Sequence, residues 1–572
     1  MPSNNASSVP ESPVIPKAQE KPWYIQRFTK LLIGFGLGSG AVALVLPWML
    51  WFLCGMSSGS SDQLRLHLLY VTGGIIAVLT LLQTNWKNQG DRLKIDADIK
   101  KNEQDAEKNE RDHIRQVYAE RRNRYTKAVE QLADEKATVR LGGIYTLVGL
   151  ADEWLADDTL EVEEQQKEGQ VIINNLCSYI RSPFPLAEKI EEYEARKALE
   201  NLQKLESEKL DEEMSSRLQV LLKRFEDSGE YEKPKDITTD YAKFHEEQDV
   251  RRTIFVEMSK RSSTFAKNDK GEIIETVPGI WSDFDFDFSR SPIFYPLNSL
   301  TIEKGNFSSA KFYSNAYFGK ATFTQTADFS WATFTQTADF SWARFTQTAD
   351  FSGARFTQTA RFSGARFTQT ADFSWARFTQ TARFSWARFT QTADFSEAAF
   401  TQTAYFSRAR FTQTAYFSSA TFTQTADFTE AAFTQTAYFS SATFTQTAYF
   451  SSATFTQTAY FSSATFTQTA DFSKATFKEI SPKFVDNNED SDITFRARFA
   501  VLSDNQGEHE FTVREGSKLI ELGKATLRGK PFIIPVGTVL FDWDDELQGY
   551  ITSEPAEPLL DNSSAGEENK AE

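Results

Sequence analysis

Residues 334–356 read FTQTADFSWARFTQTADFSGARF, and the phrase recurs with small changes up to residue 477. From Phe307 to Phe477 a Phe stands alternately every five and every six residues, and nearly every Phe has an Ala two positions before it. The unit therefore has eleven residues, A-x-F-T-Q-T followed by A-x-F-S-x. Neither step matches the 3.6-residue period of a helix, whereas residues two apart share one face of a strand. The repeat predicts stacked coils in which each Phe packs on its equivalents above and below.

Two stretches match the pattern A-(D/N)-(L/F)-(S/T)-x residue for residue, ADFSW at 327–331 and ADFSG at 349–353. On these residues the segment 305–477 resembles the bacterial pentapeptide-repeat family. The resemblance implies a right-handed, four-sided β-helix with one repeat on each side. Every second unit here has six residues, such as ARFTQT at 343–348. Four sides then need two eleven-residue units, or about 22 residues per coil. The extra residue lies at two of the four corners, and a different cross-section of the coil stays open.

The repeat also predicts which side chains face inward. Phe residues in the middle of the segment form the expected structural core: Phe345, Phe356, Phe367, Phe378 and Phe389. The open ends of such a stack would pair with other chains. We therefore expect residues 261–304 to cap the first coil and the strand-like residues 478–552 to cap the last one.

Two long apolar runs, residues 28–53 and 64–86, stand near the start of the sequence. Each is long enough to cross a hydrocarbon layer of about 30 Å as a helix. We predict a two-helix transmembrane hairpin over residues 28–86, preceded by a disordered segment at 1–27. Gly34 and Gly38 would let the first helix approach the second one, or another copy of the chain, and so predict a homo-oligomer.

The orientation follows from the positive charges around the hairpin. Lys and Arg residues precede the first run and follow the second, while the connection 54–63 contains none. The positive-inside rule therefore predicts a multi-pass protein of the inner, or plasma, membrane with both termini in the cytoplasm.

A charged, helical middle region follows the hairpin. Residues 87–124 predict a solvated helical stalk, and 125–260 a helical region. The stretch RYTKAVEQLADEKATVRLGGIYTLVGLADEW at 124–154 resembles the helical module between membrane helices and repeats in bacterial pentapeptide-repeat proteins, a resemblance that implies no activity. A further apolar series fits either a coiled-coil seam or a helix docked on its neighbours: Leu210, Met214, Leu218, Leu221 and Phe225. The acidic tail, 553–572, is expected to be disordered.

The predicted fold class is therefore α+β and multidomain: two transmembrane helices, a helical middle region and a quadrilateral β-helix with caps. No Gly-rich phosphate loop or Ser/His/Asp set occurs in the sequence. The four histidines and two cysteines never stand at metal-ligand spacing. We predict a protein that is not an enzyme and has no cofactor or metal site.

Two further functions are weighed against a scaffold. Some pentapeptide-repeat proteins are DNA mimics that bind topoisomerases, which requires a strongly acidic solenoid. Residues 305–477 carry nine acidic and twelve basic side chains, although the whole chain has a net charge of −17. Charge therefore disfavours mimicry, and no nucleic-acid partner is expected. Ice binding by the repeated Thr-x-Thr is opposed by the predicted topology and by the corner position of the extra residue.

The candidate partner-binding residues are exposed Trp and Arg that stack in columns from coil to coil: Trp331, Trp342, Trp375, Trp386, Arg344, Arg366 and Arg388. Trp with neighbouring Arg is typical of interface hot spots. The alternative interpretation is that each ring only covers a neighbouring coil. We therefore predict a membrane-anchored β-helical scaffold whose residues 328–388 present an interaction surface to an unknown protein at the cytoplasmic face.

Overall fold

The structure is a computed structural model that describes residues 21–204, 212–226, 237–267, 273–487, 493–502 and 508–559. The chain divides into two compact units, Met1–Glu120 and Arg121–Glu572. The first unit is helical, and the second combines helices with a β-solenoid.

The first unit begins with the short helix α1, Trp23–Gln26, and continues with α2, Phe28–Cys54, and α3, Ser58–Leu132, whose residues from Arg121 onward belong to the second unit. Helix α2 ends where Gly55 adopts the left-handed conformation, with φ of +65°. Two helices, α2 and α3, are long and apolar enough to cross a membrane. A Cβ atom placed on either of the glycines predicted to lie at a helix contact, Gly34 and Gly38, would meet no other atom within 4 Å. Within the described chain, that stripe of α2 is therefore uncovered.

The second unit opens with packed helices: α4 Ala137–Leu155, α5 Val162–Arg181, α6 Leu186–Lys204, α7 Glu212–Glu226 and α8 Ile237–Arg261. Helices α4 and α5 bury apolar faces against each other, with Ile144, Leu147 and Leu176 almost fully buried. Helix α7 packs on α6 and buries Leu222. Of the series predicted as a seam, Leu210 and the side chains of Met214, Leu221 and Phe225 lie outside the described residues. The coiled coil stays a prediction.

Helix α8 covers the first coil of the solenoid. The Phe255 ring lies 4.5 Å from the Phe288 ring and 6.2 Å from that of Phe307, measured between centroids. Buried Arg251 links α8 to the end of α5, because its guanidinium donates to the Ile180 carbonyl at 2.9 Å, while Glu247 of the same helix neutralises its charge at 2.6 Å. The aromatic core of the coils therefore continues into the helical region without a gap.

The solenoid has four faces, numbered here in the order in which the chain passes through them. Face 1 contains Phe286–Asp287 and then one strand in each coil from Gly305–Asn306 to Ala459–Tyr460. Face 2 contains Pro292–Ile293 and then one strand in each coil from Lys311–Phe312 to Thr465–Phe466. The first strands of both faces lie in the segment that was expected to be a cap.

Faces 3 and 4 are built in the same way. Face 3 contains one strand in each coil from Ala316–Tyr317 to Ala470–Asp471. Face 4 contains Thr301–Ile302 and then one strand in each coil from Thr322–Phe323 to Thr476–Phe477. Neighbouring strands on every face of the repeat are parallel and pair in register, as Ala327 does with Ala349. The prediction of about 22 residues per coil and four sides is confirmed.

The interior is a set of aromatic columns. The side chains expected to form the core, Phe345, Phe356, Phe367, Phe378 and Phe389, are at most 1% exposed. Phe378 lies parallel to Phe356 and Phe400 at 4.8 Å on each side and edge-on to Phe384 at 5.8 Å. Ala, with its small side chain, occupies the other inward position of each repeat and is fully buried through most of the stack. The alternation of a large and a small residue lets the coil close around these rings.

Strands that do not follow the repeat cover the C-terminal end of the solenoid. Face 2 continues through Arg498–Ala500, Val539–Asp544 and Gly549–Thr552, and the last pair is antiparallel. A separate sheet contains Lys530–Pro535, Leu522–Leu527 and Glu557–Pro558. At this end Val485–Asn487 pairs antiparallel with Thr494–Arg496, and before the first coil Thr264–Lys267 pairs antiparallel with Ile273–Val277. Rings from this region extend the interior columns, since Phe484 lies 5.2 Å from Phe461 and Phe499 lies 5.0 Å from Phe466.

Replacing Phe378 by Asp should destabilise the solenoid severely, because a carboxylate would then be buried between stacked rings with no cation beside it. We expect Phe378→Asp to lower the free energy of unfolding by more than about 4 kcal/mol, measured by denaturant unfolding. The matched control is Gln380→Asp, two residues further on, where the side chain is exposed; it should change stability by less than about 1 kcal/mol. Similar losses in both variants would contradict the assignment of the inward positions.

Candidate functional site

Two of the four corners of each coil are tight turns, and the candidate Trp residues occupy them. In the turn at 329–332, the Ala332 amide donates to the Phe329 carbonyl at 3.0 Å, and Trp331 has φ of +57°. A positive φ at the third position defines a type II turn, which favours glycine. The equivalent positions Gly353 and Gly364 satisfy that preference, whereas Trp, Glu, Arg, Ser and Lys fill the others with φ near +60°.

The Trp side chains form two columns at opposite corners. Trp331 and Trp375 lie at the corner between faces 1 and 2, whereas Trp342 and Trp386 lie at the corner between faces 3 and 4. All are more than half exposed, at 68%, 56%, 59% and 55% in that order. The chain visits the faces in the order 1, 2, 3, 4, so these corners are diagonal to each other. The candidate Trp residues therefore do not share one face.

Three of these rings, Trp331, Trp342 and Trp386, contact the following coil although more than half of each side chain is exposed. A Cβ atom on Gly353 would meet the Trp331 ring at 2.8 Å, and one on Gly364 would meet the Trp342 ring at 2.7 Å. The guanidinium of Arg408 lies over the Trp386 ring, 4.8 Å from its centroid. Covering a neighbouring coil and presenting a surface are thus not exclusive for these residues.

The candidate arginines form one ladder on face 4. Arg344 pairs in register with Arg366, Arg366 with Arg388, and Arg388 with Arg410. Burial and the charge of Arg366 both lower the pKa of Arg344. Within the described part of the chain, Arg366, Arg388 and Arg410 form no ion pair. The ladder therefore concentrates positive charge on a single strand position.

The aspartate ladder on face 1 has a different role. Oδ1 of Asp328 accepts a hydrogen bond from the Ser330 amide at 2.9 Å, and Asp350 accepts one from Ser352 at 2.8 Å. A side chain that bonds the backbone two residues ahead stabilises the turn that follows. These carboxylates are half-buried turn elements rather than free surface charges.

Residues 307–480 match a family model described as pentapeptide repeats (9 copies), in four overlapping segments: 307–355, 351–399, 395–443 and 439–480. Residues 307–480 form a pentapeptide-repeat domain. No curated protein and no solved structure matches the chain. This domain is a β-solenoid, and the match agrees with the four-sided coil and with the ADFSW-type repeats.

In the pentapeptide-repeat domain, the fold brings part of the candidate set together. Trp342 and Trp386 lie at the corner that leads directly into face 4, two residues before Arg344 and Arg388 respectively. We call the set Trp342, Trp386, Arg344, Arg366 and Arg388 the Trp–Arg ridge. Trp331 and Trp375 lie at the diagonal corner, outside it.

Two side chains outside the domain are withdrawn from water, Cys177 being buried and His509 half-buried, whereas the Cys54 thiol is exposed. Burial raises the pKa of the Cys177 thiol to about 12. Burial lowers the pKa of His509 to about 4, and this ring accepts a hydrogen bond from the Ala470 amide while donating one to the Ala500 carbonyl. The described residues contain no group of three His, Cys, Asp or Glu placed to hold a metal ion.

The contact between Trp331 and Gly353 predicts an energetic coupling. Gly353→Ser alone should lower the free energy of unfolding by about 1–3 kcal/mol, because the new Cβ collides with the indole ring. In a background of Trp331→Ser the same change should cost less, since consecutive serines fill this column at Ser441 and Ser463 with φ of +60° and +57°. A double-mutant cycle in denaturant unfolding should give a coupling of about 1 kcal/mol or more. Additive effects would show that the ring does not rest on Gly353.

Proposed function

We propose that this protein is a non-enzymatic, membrane-anchored scaffold whose Trp–Arg ridge binds a partner protein at the cytoplasmic face of the inner, or plasma, membrane. The observation that carries the proposal is the position of two half-exposed indole rings beside a guanidinium ladder on a rigid stack of coils. Trp and Arg are the residues most enriched in the energetic centres of protein interfaces.

The helices α2 and α3 support the anchoring half of the proposal. Their apolar side chains, such as Leu37, Phe52 and Leu81, are largely exposed and would need lipid or another chain to cover them. Trp48 and Trp51 stand near the end of α2, where aromatic rings favour the membrane interface. With positive charges before α2 and after the apolar part of α3, both termini lie in the cytoplasm in this proposal.

The ridge supports the binding half. Parallel strands place successive arginine positions of the ladder about 4.8 Å apart on a backbone that is fixed by coil-to-coil hydrogen bonds. For example, the Arg366 amide donates to the Ala343 carbonyl at 2.9 Å, and the Arg388 amide to that of Ala365 at 2.9 Å. A rigid ladder loses little conformational freedom on binding, which favours affinity. Its charge selects a partner surface rich in Asp and Glu.

Topology can be tested with one tag and one thiol. A reporter that is active only in the cytoplasm, fused after Glu572, should be active. A Ser58→Cys substitution in a Cys54→Ser background should react with a membrane-impermeant maleimide added to intact cells, because the connection lies outside, whereas Cys177 is buried. The Cys54→Ser chain without the new thiol is the control. Labelling at position 58 only after lysis would contradict the proposed orientation.

The ridge can be tested against its own diagonal counterpart. Trp342→Ser with Trp386→Ser should reduce partner recovery from detergent-solubilised membranes by about tenfold or more, which corresponds to about 1.4 kcal/mol. Trp331→Ser with Trp375→Ser changes the same residue types at the opposite corner and should leave recovery unchanged. Circular dichroism should show the same fold for both variants, since Ser fills equivalent turn positions in later coils. Equal losses in the two variants, or no loss in the first, would reject the ridge as the interface.

A further inference from the structure

Face 3 carries an interrupted aromatic column in its C-terminal half. Tyr405, Asp427 and Tyr449 occupy the same strand position in three successive coils, and they pair in register. Face 1 has three tyrosines in a row at the corresponding position of its own strands, Tyr416, Tyr438 and Tyr460. On face 3 an aspartate therefore stands where face 1 has the middle ring.

The missing ring leaves a cleft of defined width. The stacked rings on face 1 are 5.1 Å and 5.0 Å apart between centroids. Tyr405 and Tyr449 are two coils apart, which is roughly 10 Å at about 4.8 Å per strand. An open cleft lies at this place, with Thr403, Thr425, Thr429 and Ser451 along its sides. It has room for one flat group between the two tyrosine rings.

The floor of the cleft is acidic. Oδ1 of Asp427 accepts a hydrogen bond from the Thr429 amide at 2.9 Å, as the other turn aspartates do. The second carboxylate oxygen has no hydrogen-bond or ion-pair partner among the described residues. Tyr449 is 39% exposed and Tyr405 is half-buried, so both rings border the opening. A group that enters between the rings would meet two ring faces and the Asp427 carboxylate, and a second carboxylate, Asp471, lines the same cleft one coil beyond Tyr449.

The same column already shows how a guanidinium uses these two elements. Arg383, one coil before Tyr405, lies over that ring with its Cζ atom 5.5 Å from the centroid. Arg361 forms an ion pair of 3.9 Å with Asp339, its neighbour in the column one coil before. The stacking contact and the ion pair each occur once in the column. In the cleft, tyrosine rings and a carboxylate lie together, with no cation of the described residues between them.

We propose that the cleft formed by Tyr405, Asp427 and Tyr449 binds the guanidinium of an arginine side chain presented by a partner protein. A guanidinium is planar, stacks on aromatic faces and pairs with carboxylates, so it satisfies all three residues at once. A neutral aromatic ring in the cleft would remove the Asp427 carboxylate from water without neutralising its charge, which is unfavourable. A lysine ammonium is compact and strongly hydrated and gains less from a flat slot. This site is separate from the Trp–Arg ridge and does not depend on it.

The experiment uses the full chain in detergent micelles and ligand-observed saturation-transfer NMR, which detects weak binding to a large protein. The probes are N-acetyl-arginine amide, its neutral isostere N-acetyl-citrulline amide, and N-acetyl-lysine amide. We expect saturation transfer to the arginine probe, with signals at least about fivefold lower for citrulline and about threefold lower for lysine. Equal signals from arginine and citrulline, or from arginine and lysine, would overturn the proposal.

Variants then locate the binding. Asp427→Tyr fills the cleft with the residue that face 1 uses and should keep the coil folded, as the stack of Tyr416, Tyr438 and Tyr460 does. Asp427→Asn keeps an acceptor for the Thr429 amide but removes the charge. Both variants should reduce the arginine signal by about fivefold or more, whereas Asp372→Asn, at a turn aspartate between Asp350 and Asp394 on face 1, should leave it unchanged. An undiminished signal in the two Asp427 variants, or an equal loss in Asp372→Asn, would refute the assignment.

Discussion

The constraint on which this structure depends is that the coil closes after two eleven-residue units, so that each Phe returns to the position of the Phe one coil before it. The rings of one face then stack nearly parallel, and rings from neighbouring faces meet edge-on, as Phe378 and Phe384 do at 83°. Both are favourable aromatic geometries. Because every strand is only two residues long in the repeat, stability comes from this interior and from hydrogen bonds between coils rather than from long strands.

The outer side chains follow the same 22-residue period as the inner ones. A side chain that appears at one strand position in several repeats becomes a ladder, and the physical consequence depends on its chemistry. Aspartate ladders are compatible with close stacking because each carboxylate accepts a bond from its own turn, as Asp328 and Asp350 do. The arginine ladder has no such local acceptor at Arg366 or Arg388, so its charge remains directed outward. The aspartates thus stabilise their own turns, whereas Arg366 and Arg388 do not.

Much of the solenoid could be predicted from the sequence, because spacing alone reveals which side chains share a face. The four sides and the buried Phe378 follow from the alternation of five and six residues. The left-handed conformation of the turns was harder to predict, because most of these positions hold residues such as Trp, Glu and Ser, which rarely adopt a positive φ. Only Gly353 and Gly364 indicate it in the sequence. The cover over the first coil was missed, because Phe255 belongs to a helix with no repeat to mark it. The diagonal separation of Trp331 from Trp342 follows from their eleven-residue distance, which is half a coil.

That half-coil distance also bears on how such a chain changes by duplication. Inserting one eleven-residue unit would keep every Phe in an inward position and every turn at a corner. It would, however, rotate all later surface residues by half a revolution, so that the arginine ladder of face 4 would continue on face 2. Only insertions of whole coils lengthen a binding surface; single units move it to the other side of the molecule. The interior is indifferent to that distinction, so selection between the two kinds of insertion acts on the outer side chains, through their contacts between coils and through what they bind.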